Sequence, residues 1–182
     1  AATVRKLVLA LLAFAGLRFT LAAFILLAVL QWREGSVGAP KEAWWPLAWM
    51  GVLSNTLYQV CFMYGLTHTS VANASLIVAT TPLIVAFLGA ATGIEALRRP
   101  VVTGGLLGFS GVALILAGKG AELGVGRLAG DAAVFGATLC WAVFTLGVRA
   151  LRVRISTLRL TTWTMVTGAP GLLLLGAPSL RA

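Results

Sequence analysis

The stretch Ala43–Ile94, AWWPLAWMGVLSNTLYQVCFMYGLTHTSVANASLIVATTPLIVAFLGAATGI, holds no Lys, Arg, Asp or Glu across 52 residues. A helix needs about 20 apolar residues to cross the hydrocarbon core of a bilayer. The run is too long for one buried globular segment and long enough for two membrane spans. Near its middle lies its most polar patch, Leu66-Thr67-His68-Thr69-Ser70-Val71-Ala72-Asn73, which reads as the turn of a helical hairpin. Trp44, Trp45 and Trp49 stand at its start, where an interfacial belt belongs, because an indole is best solvated between apolar core and headgroups.

The rest of the chain agrees. Of 182 residues, 59% are hydrophobic and 10% charged, whereas a soluble domain carries about a quarter charged residues. The fold class is therefore an all-α membrane protein. The net charge of +9 would suggest nucleic acid in a soluble protein. Here the bases sit between apolar runs, where they act as topology signals, so no nucleic-acid partner is expected. Cys61 and Cys140 lie inside apolar runs and the chain has one histidine. That gives neither a disulfide nor metal-ligand spacing, and no cofactor is expected. Residues 1–15 have the basic start and Ala13-Phe14-Ala15 of a signal peptide, but the apolar character runs on to Leu30, longer than a signal's apolar region.

The pattern predicts helices over 13–31, 44–66, 71–92, 100–118, 131–149 and 160–176, with residues 1–12 as the tail of a preceding helix. Thr81-Pro82 should kink the third, since proline removes a backbone bond and clashes with the turn before it. Gly168 and Pro170 should break the last. Gly104-x-x-x-Gly108 is a small-residue pattern for close helix contact. Gly118 to Gly130 is Gly-rich and reads as a linker. Counting Lys and Arg on alternate connections gives eight on one side (Arg33, Lys41, Arg98, Arg99, Arg149, Arg152, Arg154, Arg159) and five on the other (Arg5, Lys6, Lys119, Arg127, Arg181). The first side is expected to be cytoplasmic.

Polar groups inside a bilayer are costly unless they face a cavity or a partner. Asn55 and Gln59 are four apart and share a helix face, with Tyr58 beside them. The set suits a zwitterionic or aromatic metabolite, and equally suits hydrogen bonds between helices. Asn73 and Thr80 share a face of the next helix, with Ser75 and the proline kink nearby. Trp141 would form an aromatic wall. These seven, Asn55, Tyr58, Gln59, Asn73, Ser75, Thr80 and Trp141, are the expected substrate-binding residues. Arg18 reads as a structural anchor to a helix-end carbonyl or lipid headgroups, and His68 as a solvated turn residue. No nucleophile, metal set or carboxylate pair suggests an enzyme.

Val148-Arg149-Ala150-Leu151 resembles Val4-Arg5-Lys6-Leu7 at an offset of 144 residues. A repeat of five helices would place its next copy upside down, the inverted architecture common in transporters. The chain resembles the EamA-type members of the drug/metabolite transporter superfamily. The resemblance rests on Ala15-Gly16-Leu17-Arg18-Phe19, on Tyr64 through Ile77 with Thr69-Ser70 and Ala74-Ser75, on Thr81-Pro82-Leu83, and on Glu95 with Gly105 through Leu114. Gly130-Asp131 and Trp141 look like the opening of a second repeat. One departure is Gly93-Ile94-Glu95, where the family's acidic residue usually follows Gly directly.

The resemblance implies a transmembrane bundle of inverted five-helix repeats with the second truncated. Residues 1–119 would be a first EamA-like repeat whose first helix lacks its start, 120–130 a linker, and 131–182 the beginning of a second repeat. It implies an inner-membrane, multi-pass carrier of small metabolites, amino acids or amphiphilic compounds among them, working by alternating access. Its partners would be the metabolite and membrane lipids, with homodimerisation through Gly104–Gly108 left open. The alternative is a non-transporting scaffold or assembly subunit.

Overall fold

The computed structural model describes residues 2–38, 41–118, 128–151 and 155–180. Most of the expected linker 120–130 lies outside the described residues, as do Lys119, Arg127, Arg152, Arg154 and Arg181. The described residues are nearly all helical and include no strand.

The first helix, α1, is Ala2–Glu34. After a 3-10 turn at Lys41–Ala43, α2 runs from Trp44 to His68. Its middle, Val52–Leu57, is wound as a wider π turn. Next, α3 comprises Val71–Ala79 and Thr81–Ala91. The remaining three are α4 at Arg99–Gly118, α5 at Leu128–Leu151 and α6 at Thr157–Leu180. By length and composition, Val8–Glu34, Val71–Ala91, Leu128–Leu151 and Thr157–Pro178 can each cross a membrane. The chain is a helical membrane bundle.

Successive helices reverse direction. Gly176 lies against Ala13 and Arg159 reaches Glu34, so α1 and α6 run antiparallel along their length. Trp44 meets Trp163 and Thr56 meets Gly168, so α2 runs parallel to α6. Asn73 meets Asp131 and Val85 packs with Ala142 and Leu146, so α3 runs parallel to α5. Only α3 among the described helices packs substantially against α4.

One cluster, Leu47, Met50, Ile155 and Leu160 with Trp163, closes one end of the bundle. Leu12, Ala15 and Leu172 with Val60 and Met63 fill the seam between α1, α2 and α6.

Three expectations need correction. Residues 1–12 were expected to belong to a separate helix, yet residues 2–34 form one. Nothing in Leu9-Ala10-Leu11-Leu12 breaks a helix, and α6 offers a continuous surface for it. The last helix was expected to break at Gly168 and Pro170, yet Thr157–Leu180 is continuous. Gly168 and Gly171 press against Gly51, Asn55 and Thr56 of α2, and that packing holds the segment helical. A proline is tolerated there because neighbouring helices support the membrane segment. Gly104 and Gly108 were expected to seat a close helix contact, yet among the described residues of this chain nothing lies within 4 Å of a Cβ at either, nor at Gly111. In α4 the contact glycine is Gly105, which meets Leu83.

The kink appears at Thr80. Pro82 has no N–H to offer Val78 O, and the Thr81 hydroxyl donates to that carbonyl instead. Helices α1 and α3 are each followed by a glycine in the left-handed region, Gly35 at φ 68° and Gly93 at φ 69°, the usual residue for that stop.

Candidate functional site

A cavity of about 580 Å³ opens midway along the helices, between α1, α2, α5 and α6. The π turn supplies Ser54 and Asn55, and the next turn of α2 supplies Tyr58, Gln59 and Phe62. Trp141 and Phe144 come from α5, Thr161, Thr164 and Met165 from α6, and Arg18 and Phe19 from α1. A π turn is unusual and often occurs at functional sites.

This turn is held from outside. Asn55 Nδ2 donates to Thr164 O at 2.8 Å, and Thr56 Oγ1 donates to Gly168 O at 2.9 Å. A Cβ at Gly168 would come within 2.4 Å of Gly51 O, so glycine there lets the two backbones touch. Both Asn55 and Gln59 are 7% exposed, and Ser54 is 5% exposed.

A chain of aromatic rings lines one wall. Tyr58 and Phe62 stack at 5.6 Å, Tyr58 and Trp141 meet at 5.5 Å, and Trp141 meets Phe144 at 5.4 Å. Tyr58, Phe62 and Trp141 also border a second cavity of about 430 Å³. Its other walls are Val78, Ala79, Thr81 and Pro82 at the kink of α3, Gly108 and Val112 of α4, and Thr138. The two cavities thus flank one aromatic partition.

Four of the seven expected residues, Asn55, Tyr58, Gln59 and Trp141, come together in the larger cavity. The other three lie on α3 away from it. Ser75 Oγ donates to Val71 O of its own helix, and Thr80 Oγ1 to Ile77 O. Serine and threonine commonly do this in helices. Asn73 sits at the end of α3, where its Nδ2 lies 3.2 Å from Asp131 Oδ2.

Thr69 Oγ1 donates to the same carboxylate, and Gly130 lets α5 approach the backbone of His68 and Thr69. Gly130-Asp131 therefore pins the α2–α3 turn to the start of α5. A carboxylate in the first turn also suits the helix dipole. At the opposite end Glu34 accepts from Ser156 and pairs with Arg159 at 2.9 Å, and Glu95 pairs with Arg149.

Arg18, Ser54, Thr161 and Thr164 also face the larger cavity. Thr161 and Thr164 went unread in the sequence, because threonines three apart in an apolar helix do not show which neighbour they face. Ser54 carried no signal, because the π turn that aims it leaves no mark in residue type. Among the described residues no group of three His, Cys, Asp or Glu could hold a metal ion.

The EamA-like transporter family model matches residues 3–117. The chain belongs to the EamA-like transporter family. It is 29% identical over 156 residues to the uncharacterized transporter YetK of Bacillus subtilis, covering 84% of this chain and 47% of the relative. It is 31% identical over 162 residues to the uncharacterized transporter YyaM of the same organism, covering 86% and 52%. An uncharacterized transporter of Archaeoglobus fulgidus is 30% identical over 130 residues, covering 71% and 44%. The chain thus spans about half the length of these relatives. No solved structure matches.

Proposed function

We propose that this chain forms one part of an inner-membrane carrier that moves small metabolites by alternating access. The observation that carries the reading is the mid-helix cavity, with its aromatic wall and its amides Asn55 and Gln59. Small-molecule sites are concave, mostly apolar and furnished with a few placed polar groups. Family membership and relatives named transporters support the same reading.

The inverted-repeat reading belongs to this proposal: 1–119 as one repeat, 120–130 as linker and 131–182 as the start of the next. It makes α1 and α6 equivalent positions in two copies of opposite orientation, and their antiparallel packing supports it. Such repeats place the solute site near the bilayer midplane, between the copies.

The test is flux through liposomes containing the full-length protein, with a panel of amino acids, organic acids and amphiphiles. Gln59→Ala and Trp141→Ala should each lower flux by about tenfold, equivalent to ~1.4 kcal/mol, without reducing the amount of protein in the membrane. A panel in which nothing moves, or flux untouched by both variants, would overturn the proposal.

A further inference from the structure

We infer that the larger cavity selects an organic anion, a monocarboxylate with an apolar or aromatic body, and that Arg18 holds its charge. The inference rests on the carrier reading and sharpens its substrate class.

Arg18 is the charged side chain among the cavity's lining residues. It lies at the centre of α1, Ala2–Glu34, far from either end. Its Cζ stands 5.0 Å from the ring centre of neighbouring Phe19. Among the described residues no carboxylate pairs with it. Glu34 pairs with Arg159 and Glu95 with Arg149, while Asp131 is occupied by Thr69 and Asn73. Arg18 is exposed yet lies well inside Val8–Glu34, which is long and apolar enough to cross a membrane, and a guanidinium within such a segment without a counter-charge is costly. An arriving carboxylate offsets that cost, and the planar fork of arginine fits it with two parallel hydrogen bonds.

Neutral donors stand beside Arg18 on the same wall. Asn55 Nδ2 gives one of its two N–H groups to Thr164 O, and Gln59 and Tyr58 line the cavity with an amide and a hydroxyl that can donate to a ligand oxygen.

The charge balance of the wall narrows the class. Among the described residues no acidic side chain lines the cavity, so the ammonium of a zwitterion meets no counter-charge from them. A single guanidinium matches a single negative charge, and a second would remain desolvated and unpaired. The partition of Tyr58, Phe62 and Trp141 receives the apolar body.

Three probes share one body and differ in charge: hydrocinnamate, its neutral amide, and phenylalanine. Binding to the full-length protein in detergent is read by tryptophan fluorescence, since Trp141 lines the cavity. Hydrocinnamate should bind about tenfold or more tightly than the amide and than phenylalanine, a gap of ~1.4 kcal/mol. Arg18→Gln should bring hydrocinnamate down to the level of the amide and leave the amide within about twofold, while Arg18→Lys keeps part of the preference. Equal binding of acid and amide, tighter binding of phenylalanine, or hydrocinnamate unmoved by Arg18→Gln would overturn the inference. The wild-type comparison needs no variant, so it decides the matter even if Arg18→Gln fails to fold. If none of the three binds while other solutes still move in liposomes, the anion reading falls and the carrier reading stands. If nothing binds and nothing moves, both fall.

Discussion

Asn55 and Ser54 are neighbours in one π turn, both buried, and their substitutions should act in opposite ways. Asn55 satisfies Thr164 O on another helix. Truncating it to alanine removes the side-chain bond that ties the π turn to α6 and leaves Thr164 O to its own helix, where Thr167 Oγ1 also donates to it, at a cost of about 0.5–1.5 kcal/mol. Ser54 Oγ has no partner in the structure. Truncating it removes an unsatisfied buried hydroxyl, so Ser54→Ala should leave the ligand-free protein unchanged or more stable. Thermal unfolding in detergent without added solute checks both. A destabilised Ser54→Ala protein would mean that its hydroxyl already has a partner. Asn73 shows how little residue type alone decides. Its amide looked as suited to a cavity as that of Asn55, and it holds Asp131 at the end of the bundle instead. The pairing spans 58 positions, and no local pattern within α3 reports it.

Helix packing depends on where glycines meet backbone. Gly168 of α6 meets Gly51 of α2, and a Cβ there would lie 2.4 Å from Gly51 O and 2.6 Å from Asn55 Cβ. The nearest obstacle is main chain, which cannot swing aside as the end of a side chain can. Gly168→Ala should therefore destabilise the protein by about 1–3 kcal/mol and loosen the π turn that aims Ser54 and Asn55. Gly104→Ala on α4, with nothing within 4 Å of its Cβ, should change stability by less than about 0.5 kcal/mol. Thermal unfolding of the two variants side by side is the check, and equal effects would contradict the packing described. In sequence the two glycines look alike, and Gly104 carried the stronger motif. Small-x-x-x-small spacing shows that a face could pack closely, while the partner that meets it depends on tertiary arrangement. Pro82 was legible because a missing N–H is a property of the residue itself, whereas Pro170 was absorbed by the packing of α6 on its neighbours.

For the whole molecule, the uncharged run Ala43–Ile94 settled the membrane fold and the α2–α3 hairpin, since bilayer thickness alone demands two spans from it. The α2 wall of the cavity followed from Asn55, Tyr58 and Gln59 on one face. Its α1 and α6 walls were not legible, because they depend on the antiparallel seam that turns Arg18, Thr161 and Thr164 toward α2. The same seam bears on orientation. Because the helices alternate, the connections after α1, α3 and α5 share one end of the bundle. Glu34 with Arg159 and Glu95 with Arg149 link elements there. That end carries Arg33, Lys41, Arg98, Arg99, Arg149 and Arg159, while the other end of the described bundle carries Arg5 and Lys6. The bias in basic residues should hold the first end in the cytoplasm. Gly38 lies in the first connection, is exposed and has nothing within 4 Å of a Cβ, and His68 is exposed at the opposite end. In a background with Cys61 and Cys140 replaced by alanine, Gly38→Cys should react with a membrane-impermeant maleimide only after permeabilisation. His68→Cys should react in intact cells. The reverse pattern would invert the bundle in the membrane, putting the Glu34–Arg159 and Glu95–Arg149 pairs outside and the Asp131 pin inside.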